Sequence, residues 1–207
     1  MVVRRGEVYE NPVCGERVVI RVGNDESAGE RILWDLYLES GGAVVGEHYH
    51  PSSDERFTLV RGRLGLRVAG REEVIEQVGQ SVLATAGTRH YFWNADNTEA
   101  RVLVEMRGAA KRFELMVFRQ LFNLAQDGKT NTKGMPNLLQ AAVTSLEFAD
   151  VARFTTPSWA RQRLLFGLIA PLARALGYRG LYPRYQDRPA SAVTEPEPLP
   201  PEVLVRE

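Results

Sequence analysis

The stretch GAVVGEHYHPSSDERFTLVRG, Gly42 to Gly62, carries two histidines one residue apart, His48 and His50, and a carboxylate, Glu55, five residues after the second. In an extended strand alternate side chains share a face, so both imidazoles aim at the same side. Pro51-Ser52-Ser53-Asp54 has the composition of a turn. It returns the chain so that Glu55 can stand beside the two rings. The remaining histidine of the chain, His90, opens the strand-like run HYFWN, 40 residues after His50. Only a barrel-like closure brings those four side chains together.

The flanking sequence has the same period. Ile32, Trp34, Leu36 and Leu38 share one face of RILWDLYLE. Leu64, Leu66 and Val68 alternate with Arg63 and Arg67, and Val102, Val104 and Met106 repeat the pattern, followed by Phe113, Leu115 and Val117. Gly and Asn punctuate these runs at Gly41-Gly42, Gly62, Gly70, Gly79 and Asn94 to Asn97. Short strands at this spacing predict a mainly β fold, a closed barrel or a sandwich, over 1–117.

Beyond 117 the period lengthens. Phe118, Leu121 and Phe122 share a helical face, then Leu139, Val143 and Leu146. Thr156-Pro157 reads as the start of a further helix running toward Gly177, with Pro171 as a kink. A helical extension over 118–188, packed on the barrel or on a partner subunit, is the expectation. The Pro- and Glu-rich stretch 189–207 reads as a flexible tail.

Composition narrows the function classes. The chain has 207 residues, 44% hydrophobic and 25% charged, which are ordinary globular values. Lys+Arg and Asp+Glu are 26 each, so the surplus of positive charge that phosphate binding needs is missing and a nucleic-acid partner is not expected. One cysteine, Cys14, cannot form an internal disulfide. The opening residues MVVRRGEVYE have no apolar run of the secretory kind, and a cytoplasmic location is the expectation. Leu164 to Ala173, the longest apolar stretch, is too short to span a bilayer. Residues 151–188 hold seven arginines, no lysine and Asp187 as their one acid. They read as an arginine-edged helix pair against a partner subunit, or as a surface that touches an anionic membrane.

Three imidazoles and a carboxylate form a borderline ligand set suited to one divalent transition metal: Fe, Mn, Ni, Zn, Co or Cu. Four protein ligands leave positions open on an octahedral ion, as a catalytic centre requires. Parity turns Trp34, Phe57 and Phe92 toward the same interior. They are the candidate substrate-binding residues for a small apolar or aromatic molecule.

These residues resemble the cupins. Their first motif, G(x)5HxH(x)4E(x)6G, is filled at Gly42, His48, His50, Glu55 and Gly62. Their second, G(x)5PxG(x)2H(x)3N, is filled at Gly79, Gly87, His90 and Asn94, with Thr85 where the family has proline. The resemblance covers roughly 30–107. It implies a double-stranded β-helix (jelly-roll) barrel with a metal held by His48, His50, Glu55 and His90, here with C-terminal α-helices added. It also implies a homodimer. A dioxygenase-type oxidoreductase is the leading expectation. A metal-dependent isomerase, lyase or decarboxylase, or a non-catalytic small-molecule-binding cupin, are the alternatives.

Overall fold

The computed structural model describes residues 3–108 and 110–204. Residues 1, 2 and 205–207, at the ends of the expected barrel and tail spans, lie outside the described residues, as does 109. The first region forms strands β1 (Glu7–Asn11), β2 (Glu16–Val22), β3 (Arg31–Leu38), β4 (His48–Tyr49), β5 (Asp54–Arg61), β6 (Leu64–Val68), β7 (Arg71–Ile75), β8 (Ser81–Ala84), β9 (His90–Asn94) and β10 (Ala100–Arg107). They divide between two antiparallel sheets. One runs β1-β2-β3-β10-β5-β8 and the other β4-β9-β6-β7, and each gains a strand from the C-terminal half.

The inward residues of both sheets make a shared core. Ile20, Ile32, Trp34, Leu36, Phe57, Leu59 and Val102 meet Leu64, Leu66, Ile75 and Phe92, all buried. Each such side chain withdrawn from water contributes about 1.5–3 kcal/mol. The fold is the jelly-roll barrel that the resemblance implies, within the barrel-or-sandwich class that the alternation predicts, with C-terminal helices.

One strand expected from alternation is helical. Phe113, Leu115 and Val117 lie in α1 (Ala110–Glu114) and the π-helical segment Leu115–Leu121, continued by α2 (Phe122–Gln126). Strand β10 ends at Arg107, level with the first residues of both its neighbours, Arg31 of β3 and Asp54 of β5. No ladder remains for the chain to extend. It turns at Gly108 and crosses the barrel as a helix that buries Phe113, Met116, Phe118 and Phe122.

The extension is also not purely helical. α3 (Leu138–Glu147) packs on α4 (Trp159–Ala175) through Val143, Ala170 and Ala173. Between them β11 (Arg153–Phe154) joins the second sheet beside β4. α4 opens at Trp159 with Ser158 as its N-cap, two residues beyond the expected start, and Pro171 lies within it. α5 (Pro183–Gln186) follows. Among the described residues no helix is long and apolar enough to cross a membrane.

The described part of the Pro-rich tail is docked, where composition predicts flexibility. β12 (Ala192–Val193) pairs with β1. α6 (Pro201–Leu204) lies against Gly79, where a Cβ would stand 2.5 Å from the Glu202 carbonyl. Between them Arg101 donates to the carbonyls of Glu197 (2.8 Å) and Pro198 (3.3 Å), and Arg21 donates to Glu197 as well. Proline-rich chain has little conformational entropy to lose, so a few buried guanidinium donors suffice to hold it. The same two arginines flank Asp35, which is fully buried, at 2.8 Å (Arg21) and 3.1 Å (Arg101).

Removing one partner from a buried ionic cluster costs about 3–5 kcal/mol. Arg101→Met is expected to lower the free energy of unfolding by about 3 kcal/mol in urea melts at pH 7. It should also expose the 190–200 segment to proteolysis. A change under about 0.5 kcal/mol, the size of an ordinary surface substitution, would contradict this role.

Candidate metal centre

The four predicted ligands meet. Nitrogen and oxygen donors of His48, His50, Glu55 and His90 all lie within 4.8 Å of one another. The ladder explains how. His48 and His90 are directly opposed in the β4–β9 pair, a position where Cβ atoms are about 4.5–5.5 Å apart. Their ring centroids are 4.5 Å apart. His50 follows β4 by one residue, and its ring centroid is 5.1 Å from that of His48. Glu55 stands near the start of β5 in the opposite sheet. The cluster therefore closes the gap between the two sheets.

Backbone carbonyls orient every imidazole. His48 Nδ1 lies 3.0 Å from the Gly46 carbonyl, His50 Nδ1 2.7 Å from that of Val151, and His90 Nδ1 2.9 Å from that of Thr88. A carbonyl can only accept, so each Nδ1 carries a proton and each Nε2 faces the shared point. The Val151 contact comes from the C-terminal extension, so residues outside the barrel strands help set the site. The Gly87 amide donates to the His50 carbonyl at 2.7 Å. Thr85 stands where the motif has proline and closes the turn itself, its hydroxyl 3.0 Å from that of Thr88. Asn94, the last residue of the second motif, donates to the carbonyls of Leu38, Glu39 and Thr98. It anchors the end of β9.

The residues fit a divalent ion. His50 Nε2 is buried and makes no hydrogen bond, although Glu55 is 3.3 Å away. A buried donor or acceptor left in that state costs free energy unless something else engages it. Three neutral imidazoles and one carboxylate supply that engagement for a cation. The electrostatics set the charge states of the cluster. Desolvation, helped by the neighbouring His90 and His50, pushes the pKa of His48 down to about 3. Burial alone would raise Glu55, but the adjacent His50 and His90 outweigh it and hold the carboxyl well below its usual range. Burial alone would lower His90, but its 2.9 Å contact with Glu55 raises it.

The cluster opens onto an apolar cavity. Trp34, Phe57 and Phe92, the three predicted substrate-binding residues, all line it, with Leu36, Val44 and Val104. The helical half supplies wall that period-2 reasoning could not see: Phe113, Met116, Phe118 and Phe122. Phe113, just before the π-helical segment, packs edge-on against Phe118 within it, ring centroids 5.8 Å apart. Glu16, at the first position of β2, is a second carboxyl in the wall that sequence reasoning passed over. Its parity with Val18 and Ile20 was the available signal. Arg89 and Glu105 stay off the wall, and Glu105 pairs with Arg31 at 3.1 Å.

A cupin-domain family model matches residues 35–105. Residues 35–105 are a cupin domain. The tetracenomycin polyketide synthase protein TcmJ of Streptomyces glaucescens is 35% identical over 96 residues, which is 46% of this chain. The match spans 56% of that relative's length, a little over half. A sugar phosphate isomerase of the cupin superfamily from Silicibacter pomeroyi is 25% identical, with a TM-score of 0.41 over 50% of this chain and 69% of its own. A predicted oxalate decarboxylase from Thermotoga maritima is 20% identical, with a TM-score of 0.44 over 52% of this chain and 98% of its own.

The pH behaviour follows from the pair His90 and Glu55. His90 has a raised folded pKa, so its contribution to stability is complete below the unfolded value of about 6.5 and is lost as pH rises through the folded value. Glu55 has a lowered one, so its contribution is present above about 4.5 and is lost as pH falls through the folded value. Protein stripped of metal is thus expected to gain most from this pair between about pH 4.5 and 6.5. Metal must displace the His90 proton. Titration calorimetry with zinc at pH 6.5, in buffers of different ionisation enthalpy, should show release of roughly one proton, and affinity should rise with pH. Zinc uptake without proton release would contradict the assignment.

Proposed function

We propose that the chain is a metal-dependent enzyme for a small, apolar or aromatic organic substrate, a dioxygenase-type oxidoreductase, with one divalent ion held by His48, His50, Glu55 and His90. One observation carries the reading: the converging donors open directly into a cavity walled by Trp34, Phe57 and Phe92. When bound, an iron, nickel or copper ion supplies redox chemistry toward O2 and open coordination positions.

The protein's own part is binding and orientation. Trp34, Phe57 and Phe92 hold the substrate's apolar face and keep water from the donors. The wall offers few hydrogen-bonding groups, which suits an aromatic skeleton better than a polyhydroxylated one. The likeness to a polyketide synthase protein supports a polyketide substrate. In the isomerase, lyase or decarboxylase reading the same donors would hold an ion that polarises a carbonyl or carboxylate.

We place the protein in the cytoplasm on its single free and buried thiol, Cys14. We also assign the outer face of α4 to homodimer contact. Leu164, Leu168 and Leu172, with Leu176 at the C-cap, recur every fourth residue there, with Leu168 74% exposed. A two-fold axis between Leu168 and Leu172 sets Leu164 against the partner's Leu176, which makes the stripe self-complementary. Contact of 151–188 with an anionic membrane is the competing use of these leucines.

Protein purified without added metal should carry about one transition-metal ion per chain by elemental analysis, as a single cluster of four ligands implies. It should consume O2 with at least one member of an aromatic substrate panel. Glu55→Gln is expected to lower metal affinity by 100-fold or more, as loss of the one anionic ligand implies. Metal-loaded protein that binds substrates stoichiometrically without turnover would overturn the enzyme reading. Product formed without O2 uptake would replace it by the isomerase or lyase one. Leu168→Glu should convert a dimer to a monomer in light scattering. A wild-type monomer that sediments with anionic vesicles would favour the membrane surface instead.

A further inference from the structure

Glu16 is a carboxyl set in an apolar wall, and its surroundings do not account for it. It is 8% exposed and lines the same cavity as His48, His50 and Glu55. Among the described residues no cation lies within ion-pair distance of it, and the one side-chain hydrogen bond it makes comes from Asn11, Nδ2 to Oε2 at 3.1 Å. Its other oxygen, Oε1, has no protein partner among the described residues. Asn11 is itself fixed, since its Oδ1 accepts from the amides of Val13 and Cys14 at 3.3 Å each. The neighbouring Arg17 faces away, 3.7 Å above the Tyr37 ring and paired with Glu99.

The strand registers say where Glu16 sits relative to the metal ligands. Glu55 pairs with Met106, and Met106 pairs with Ile32. Glu16 pairs with Leu38. Ile32 and Leu38 are six residues apart on β3. Trp34 and Leu36 lie between them and both line the cavity. Glu16 and Glu55 therefore reach one apolar chamber from different levels of the sheet. Burial, opposed by the Asn11 hydrogen bond and reinforced by the charge of Glu55, pushes the Glu16 pKa up to about 8. Its oxygen can then donate as well as accept near neutral pH.

We propose that Glu16, positioned by Asn11, recognises the far end of the substrate by a hydrogen bond to a hydroxyl or carbonyl oxygen. The substrate class is then an extended aromatic molecule with oxygen functions at both ends, one facing His48, His50, Glu55 and His90 and the other meeting Glu16. This rests on the reading of the cluster as a metal centre and deepens it. An unpaired carboxyl in an apolar wall gives up stability, and a hydrogen bond made only to a ligand is the return expected at a binding site.

The test compares 2-naphthol with 2,6-dihydroxynaphthalene, whose second hydroxyl stands at the opposite end of the ring system. Dissociation constants are read from quenching of tryptophan fluorescence in zinc-loaded wild type, Glu16→Gln and Glu16→Leu. The second hydroxyl should tighten binding to wild type about 10-fold, as one well-placed hydrogen bond to a charged or polar group can. Glu16→Gln should keep part of that gain and Glu16→Leu none. Zinc affinity should be the same in all three proteins, and Glu16→Leu should melt at or above the wild-type temperature. An equal gain in wild type and Glu16→Leu, or no gain in wild type, overturns the proposal. So does a lowered melting temperature in Glu16→Leu, which would assign Glu16 to the fold. If wild type takes no zinc, the metal reading fails on its own. The hydroxyl comparison is then repeated without zinc, and the same outcomes decide the role of Glu16.

Discussion

Three hydrogen bonds from imidazole Nδ1 atoms to the carbonyls of Gly46, Val151 and Thr88 hold the candidate site in its geometry. A free imidazole rotates about two side-chain torsions and can present either nitrogen. Each carbonyl removes that choice, fixes the tautomer and points Nε2 inward. The rest of the architecture serves those three contacts. The β4–β9 register opposes two of the rings, the turn after His50 returns Glu55, and the pairing of β11 with β4 holds the preceding Val151 behind His50.

The Val151 contact changes what the domain is. A cupin barrel over 35–105 holds all four candidate ligands, yet one ligand is oriented from outside it. The helical half also supplies much of the cavity wall, through Phe113, Met116, Phe118 and Phe122. The barrel strands bring the donors, and the extension shapes the cavity beside them. The extension is therefore part of the candidate site.

The chain tolerates several buried polar groups around this arrangement, each with a different resolution. Asp35 is met by two guanidiniums that also clamp the tail. Glu114, whose pKa burial pushes up to about 7, accepts from the amides of Asn24 and Val3 and ties the helix over the barrel to the N-terminal strands. Glu55 is compensated by two imidazoles. Glu16 has only Asn11. What sets Glu16 apart is that it lines the cavity and no cation among the described residues pairs with it.

Period and spacing determined much of this from the amino-acid sequence. Strand alternation assigned the inward faces of β3, β5 and β9, and so both the ligand set and Trp34, Phe57 and Phe92. That works because parity in a strand is local: each residue's face follows from its neighbour's. Parity failed at Phe113 to Val117, where the same spacing of apolar residues served a helix, because β10 had run out of strands to pair with. Composition failed at the tail, because proline-rich chain can be held by donors that lie some 90 to 180 residues away in sequence, at Arg101 and Arg21. Glu16 in the same cavity wall as the candidate metal ligands, Val151 behind His50, and the helix across the barrel are long-range juxtapositions. Local pattern says which way a side chain points, and only the closed fold decides what it meets there.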